Sequence, residues 1–154
     1  MLNEGEPVPD VKLEGLDGQQ ISPTDFRGQK LVVYFYPKDD TTGCTREAQD
    51  FSALAERFEE QGTWILGVSK DDRRRHRKFI DKYDLKIALA SDTDGAACET
   101  FETWIEKSMY GRKYMGIDRA TFLIDRDGLI DRIWRKVKVP GHAEEVLAAA
   151  KELG

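Results

Sequence analysis

Cys44 is the residue of this sequence best placed to do chemistry. It follows the apolar run KLVVYFY, which ends before Pro37, and the polar loop from Lys38 to Gly43, and it stands where a helical pattern begins. The first backbone N–H groups of a helix have no partner within the helix and form the positive end of its dipole. A cysteine at this junction is therefore predicted to react as a stabilised thiolate, a sulfur nucleophile.

The elements that must position Cys44 are alternating strands and helices. The runs at 30–36 and 63–69 are typical of strands buried on both faces, and helical patterns follow them from Cys44 to Gln61 and from Asp71 onward. Further elements are a hairpin around Asp17-Gly18, a strand at 87–90, a short helix over 91–101, an irregular loop over 104–118, a hairpin around 125–128 and a helix after Gly141. This order predicts an α/β fold, with a central mixed β-sheet flanked by helices and an N-terminal β-hairpin, in a single domain over 1–154.

The composition argues against several classes of protein. Hydrophobic residues make up 40% and charged residues 34% of 154 residues, which indicates a folded chain rather than a disordered one. No apolar run reaches the length of a membrane span, and the N-terminus lacks the pattern of a signal peptide. Two cysteines cannot form a dense disulfide framework, so a reducing, cytoplasmic location is expected. The net charge of −5 argues against general affinity for nucleic acid.

Several separated motifs resemble the peroxiredoxins. Pro37, Thr41 and Cys44 match the pattern P-x-x-x-T-x-x-C, and the longer string YFYPKDDTTGCTREAQDF is similar to the bacterioferritin comigratory protein, or peroxiredoxin Q, subfamily. The similarity continues through 89–92 and through KSMYGRKYMG at 107–116, and it ends with RATFLID at 119–125. Because these motifs cover nearly the whole chain in order, the sequence is identified as a member of this family.

The resemblance implies a thioredoxin-like fold and an antioxidant, thiol-dependent peroxidase that needs no cofactor. Its substrates would be hydrogen peroxide and organic hydroperoxides. Cys44 matches the peroxidatic cysteine, which becomes a sulfenic acid, Thr41 the hydroxyl partner of the reacting oxygen, and Pro37 the proline that shields the site. Arg119 matches the arginine that stabilises charge as it moves from sulfur to the leaving oxygen.

The sequence departs from the subfamily at Gln49. Many members carry a second cysteine there, and an amide cannot form a disulfide. Cys98, the other cysteine of the chain, is expected to be a buried packing residue. We therefore favour a one-cysteine enzyme reduced by an external thiol such as thioredoxin, glutaredoxin or glutathione. The alternative is a two-cysteine enzyme with a Cys44–Cys98 disulfide, which needs Cα atoms within about 7 Å.

Other patterns give weaker functional signals. The basic run Arg73–Lys78 is predicted to be a solvated helix face rather than a nucleic-acid reader, and His76 and His142 lack the spacing of metal ligands. A thioredoxin-like redox module without peroxide chemistry remains an alternative, although Cys44 lacks the nearby second cysteine that dithiol exchange needs. We expect a monomer or small dimer with no nucleic-acid or membrane partner.

Overall fold

The computed structural model describes all 154 residues and is built around a mixed sheet of seven strands, in the order β2-β1-β5-β4-β3-β8-β9. The strands are β1 Leu13–Glu14, β2 Gln20–Ile21, β3 Lys30–Phe35, β4 Thr63–Ser69, β5 Ala88–Ser91, β6 Trp104–Met109, β7 Arg112–Ile117, β8 Ala120–Ile124 and β9 Ile130–Trp134. The helices are α1 Thr42–Ala53, α2 Ala55–Glu60, α3 Arg73–Tyr83, α4 Ala96–Thr100 and α5 His142–Glu152, with a 3-10 turn at Pro23–Phe26.

Strand β3 lies at the centre of the sheet, and all six of its side chains are buried. It pairs in parallel with β4 and antiparallel with β8. Successive side chains of a strand point to opposite faces, so Val32 and Tyr34 pack on one side of the sheet while Val33 and Phe35 pack on the other. The prediction of a strand buried on both faces is confirmed.

The sheet separates two hydrophobic cores. One contains Cys44 together with apolar side chains of α1, α2, α3 and α5. The other contains Cys98 together with α4 and the segment around Val8 and Val11. Because helices cover both faces, the predicted α/β fold with a central mixed sheet is confirmed, as is the N-terminal hairpin of β1 and β2.

The helix boundaries differ from those predicted. Helix α1 begins at Thr42, two residues before the predicted start, and a break at Leu54 divides the predicted helix into α1 and α2. The short helix predicted over 91–101 is limited to Ala96–Thr100. No helix combines the length and the apolar character that crossing a membrane requires.

The prediction of an irregular loop over 104–118 is wrong. These residues form the hairpin of β6 and β7, which pairs Trp104 with Ile117 and Met109 with Arg112. Its turn is Tyr110-Gly111, with φ of 52° and 78°. Such mirror-image turns are usually marked by Asn-Gly or Asp-Gly, because few other residues adopt positive φ easily. Because a tyrosine occupies the first turn position, the sequence lacks the usual signal of a hairpin.

Candidate active site

Cys44 lies in the first turn of α1, immediately beyond the end of the central strand. Its side chain is buried at the edge of the first core. The first hydrogen bond of the helix runs from the N–H of Thr45 to the carbonyl of Thr41, at 2.8 Å. The N–H groups of residues 42–44 precede that bond and have no partner within the helix. The sulfur therefore lies beside free donors at the positive end of the helix, as the sequence predicts.

Arg119, 75 residues away in sequence, brings a positive charge to the sulfur. It lies between β7 and β8, and its Nη2 donates to Cys44 Sγ at 3.4 Å while its Nη1 donates to Glu47 Oε1 at 2.6 Å. Burial disfavours the charged guanidinium, but the charges of Glu47 and Cys44 outweigh this effect, and the pKa of Arg119 is raised. Arg119 is thus a fixed cation that joins two groups of α1.

Glu47, three residues after Cys44 on α1, is a buried acid. Its side chain is 1% exposed, and its Oε2 has no hydrogen-bond partner. Burial raises the pKa of Glu47 to about 7, against the opposing effect of Arg119. The carboxyl group therefore gains or loses a proton near neutral pH, and it neutralises Arg119 fully only when it is ionised. Its position about one helical turn after Cys44 places it on the same side of α1 as the sulfur.

Thr41 and Pro37 lie on the loop side of Cys44, and neither hydrogen-bonds to the sulfur. Thr41 is the N-cap residue of α1, and its hydroxyl donates to the carbonyl of Lys38 at 2.8 Å. Since a hydroxyl has one hydrogen, Thr41 is left to act toward a reactant as an acceptor. Pro37 is partly buried two residues after the end of β3, where it has no N–H to extend the pairing of the strand.

Gly43 gives the guanidinium room to approach. A Cβ atom at this position would lie 3.1 Å from Nη2 of Arg119, closer than ordinary contact allows. A side chain at position 43 would therefore displace the atom that donates to the sulfur.

A buried polar network holds the loop that precedes Cys44. Asp39 accepts a hydrogen bond from the Tyr36 hydroxyl at 2.5 Å, lies 2.7 Å from His76 Nδ1, and donates its own N–H to Asp71 at 2.8 Å. His76 Nε2 lies 3.1 Å from the carbonyl of Ala90. A carbonyl only accepts, so Nε2 faces Ala90 as a donor. The network fastens the loop to α3.

The prediction of a solvated basic face is therefore wrong for His76, which is 0% exposed. It shares the apolar side of α3 with Phe79, Ile80 and Tyr83, at the spacing i, i+3, i+4 and i+7 that could have revealed it. The five other residues of the run are exposed, and Arg73 and Arg77 pair with acids of the N-terminal hairpin segment, Glu14 and Asp17, at 3.1 and 3.0 Å.

The network also has the donor set of a metal site. Asp39, Asp71 and His76 offer ligand atoms within 4.8 Å of one another. Each of these side chains is already engaged in the hydrogen bonds of the network, including one from Ser69 to Asp71 at 2.7 Å. These hydrogen bonds give the three side chains a structural role, which is to hold the loop against α3.

Cys98 lies on the opposite side of the sheet from Cys44. It is 0% exposed in the second core, and its backbone N–H donates to Asp92 at 2.8 Å. Burial and the neighbouring Asp92 raise the pKa of its thiol, which opposes formation of a thiolate. Cys98 is buried, as predicted, and both cysteines are free.

Comparison with known proteins identifies the family to which the chain belongs. The model of the AhpC/TSA family matches residues 5–133. The chain is 43% identical to peroxiredoxin Bcp of Bacillus subtilis over 149 residues, 97% of this chain and 95% of the relative. It is 46% identical to peroxiredoxin Bcp of Xanthomonas campestris over 142 residues, 92% and 89% of the two chains.

Solved structures agree with these similarities. One match is the bacterioferritin comigratory protein of Xanthomonas campestris, solved to explain its alkyl peroxide reduction activity. The TM-score is 0.90 at 43% identity, over 97% of this chain and 98% of that one. A PrxQ mutant of Xylella fastidiosa matches with a TM-score of 0.92 at 38% identity, over 99% and 97%. The expected thioredoxin-like fold is thereby confirmed.

Proposed function

Since the chain belongs to the AhpC/TSA family and is a thiol-dependent peroxidase, we propose that Cys44 is its peroxidatic residue and that it follows a one-cysteine route. The observation that carries the proposal is the contact of the Arg119 guanidinium with the Cys44 sulfur at 3.4 Å. Hydrogen peroxide and alkyl hydroperoxides are the proposed substrates. The relatives set aside the alternative of a redox module without peroxide chemistry.

In the first step, the Cys44 thiolate attacks the terminal oxygen of the hydroperoxide. A sulfur–oxygen bond forms, the oxygen–oxygen bond breaks, Cys44 becomes a sulfenic acid, and the alkoxide leaves and takes up a proton to give the alcohol. Negative charge moves from sulfur to the leaving oxygen during this step. Arg119 and the free N–H groups at the start of α1 are placed to stabilise that charge. Thr41 can accept a hydrogen bond from the hydroperoxide O–H and so orient it.

In the second step, an external thiol attacks the sulfenic acid. A mixed disulfide forms and water leaves, and a second thiol then releases Cys44 as a thiol while the reductant becomes a disulfide. Gln49, which occupies the place of the usual resolving cysteine, is exposed on α1 and has no thiol to offer. Thioredoxin, glutaredoxin and glutathione are the proposed classes of reductant.

The position of Cys98 supports the external route. Cys44 and Cys98 belong to cores on opposite faces of the sheet, so a disulfide between them requires one of the two helix starts to leave its core. The buried Cys98 thiol would also have to ionise in an environment that raises its pKa. The Cys44–Cys98 enzyme remains the alternative that the experiment must test.

The experiment adds one equivalent of peroxide to the fully reduced protein without other thiols and follows the products by mass spectrometry. We expect one oxygen on the Cys44 peptide and an unmodified Cys98, with a second oxygen appearing in excess peroxide because no fast disulfide competes. Cys44→Ser should consume no peroxide, and Cys98→Ser should keep turnover with an external dithiol. A loss of two hydrogens with a Cys44–Cys98 crosslinked peptide would overturn the one-cysteine route.

We further propose that residues 1–154 act as one domain, as a monomer or small dimer, in a reducing compartment such as the cytoplasm. The central sheet contains strands from both halves of the chain, which supports a single domain. The small number of cysteines, two in 154 residues, supports the reducing compartment.

A further inference from the structure

His142 lies where helix α5 meets α1 and the strands β8 and β9. It is the first residue of α5, and only 6% of it is exposed. Its ring packs edge-on against Phe51 of α1, with centroids 6.0 Å apart, and against Trp134 of β9, with centroids 5.8 Å apart. Its Nε2 lies 2.8 Å from the hydroxyl of Thr121 on β8. One buried side chain of α5 therefore joins three other elements.

Two of these elements carry the groups that meet at the sulfur. Phe51 follows Cys44 by seven positions, which is two turns along the same side of α1. Thr121 follows Arg119 by two positions, and the side chain of Ala120 between them lies in the second core, so both neighbours point to the face of the first core. The separation of α1 and β8 therefore sets the 3.4 Å contact between guanidinium and sulfur, and the imidazole touches both elements.

The segment that leads into α5 also holds Arg119 by its backbone. Residues 135–141 connect β9 to α5. Within this segment, the N–H of Val137 donates to the carbonyl of Arg119 at 3.0 Å. His142 anchors the far end of the segment against β8. Loss of this anchor would therefore loosen Arg119 in two ways, through the strand and through the segment.

The imidazole can hold this position without repelling the guanidinium. Burial lowers the pKa of His142 to about 4, against the opposing effect of Glu145, and the charge of Arg119 lowers it further. The ring is therefore neutral at neutral pH. A neutral ring adds no second positive charge beside Arg119, and it still hydrogen-bonds to Thr121.

On the basis of the peroxidase function proposed above, we propose that His142 is a positioning residue that fixes Arg119 relative to the Cys44 sulfur. It acts through Arg119 rather than on the reacting atoms. Its removal leaves a cavity between two aromatic rings and a buried hydroxyl on Thr121 without a partner, so α1 and β8 can shift relative to each other. A displacement of about 1 Å in a group that stabilises the transition state can slow a reaction by about 100-fold.

The test measures sulfenic acid formation in a single turnover with hydrogen peroxide, on pre-reduced protein that is quenched and read by mass spectrometry. His142→Ala should slow this step roughly 10-fold. His142→Gln should recover most of the rate, because its amide can replace the hydrogen bond to Thr121. Thr121→Val removes the same hydrogen bond without loss of volume and should also slow the step, so the test does not depend on the folding of His142→Ala.

Two comparisons separate positioning from a loss of stability. In the Arg119→Ala background, His142→Ala should slow the step no further, because the group that it positions is gone. Leu147→Ala is the matched control, since Leu147 is buried in the first core further along α5. This variant should unfold at a lower urea concentration and keep the wild-type rate.

A wild-type rate in either His142→Ala or Thr121→Val would overturn the proposal, as would a His142→Gln variant as slow as His142→Ala. So would a full further slowing by His142→Ala in the Arg119→Ala background, or an equal slowing by Leu147→Ala, since either would indicate a general loosening of the fold. A wild-type protein that forms no sulfenic acid would instead contradict the peroxidase route itself.

Discussion

Replacing Glu47 by glutamine should change how the stability of the protein depends on pH. Burial raises the pKa of this carboxyl from 4.5 to about 7. Between these two pH values the unfolded chain has lost the Glu47 proton while the folded protein still holds it. The free energy of unfolding therefore falls as pH rises through this window, and the whole loss of stability is present above pH 7. A difference of about 2.5 in pKa corresponds to about 3 kcal/mol.

The Glu47→Gln variant carries no titrating group at this position and should not show this loss. Its free energy of unfolding, relative to the wild type, should increase by about 3 kcal/mol between pH 4 and pH 8. Urea unfolding of both proteins at a series of pH values gives this difference, and groups that titrate alike in both proteins cancel. Glu56→Gln, at an exposed site of α2, controls for the loss of one negative charge.

A flat difference between wild type and Glu47→Gln would refute the reasoning, because it would mean that the Arg119 ion pair keeps Glu47 ionised throughout. The same titration has a consequence for catalysis. Below pH 7 Glu47 is protonated and leaves more of the Arg119 charge available to Cys44. Above pH 7 Glu47 is ionised and neutralises Arg119. The rate of the Glu47→Gln variant should therefore lack the component of the wild-type pH profile centred near 7.

Three further perturbations test other parts of the site. Gly43→Ala should slow sulfenic acid formation by roughly 10-fold or more with unchanged circular dichroism, since the new Cβ would displace the Arg119 guanidinium. Asp39→Ala should lower the free energy of unfolding by about 3–5 kcal/mol in urea titrations, because it leaves His76 buried without its partner, whereas Lys38→Ala, at an exposed side chain of the same loop, should have little effect. Burial lowers the pKa of His142 from 6.5 to about 4, so stability should be lost as pH falls through this window, and His142→Gln should remove that acid-side loss in the same titrations.

The sequence by itself determines the strands of the central sheet, most of the helices and the place of Cys44 between strand and helix. The runs that form β3 and β4 are largely apolar, as expected for strands covered on both faces, and this pattern can be read from each run alone. Cys44 stands out for the same reason, since the strand end, Pro37 and the helix start all lie within a few residues of it. Arg119 was found through family resemblance alone, because a single arginine has no local signature.

The tertiary structure decides which charged groups surround the Cys44 sulfur and how far the second cysteine, Cys98, lies from it. Cys44 and Arg119 are 75 positions apart in the sequence, and Asp39 and His76 are 37 positions apart. Each pair comes into contact only when the sheet assembles, so no spacing rule reveals these contacts. Whether Glu47 is ionised depends on its burial, which is a property of the packed core rather than of the residue. The separation of Cys44 from Cys98 likewise follows from the strand order, which places α1 and α4 on opposite faces of one sheet.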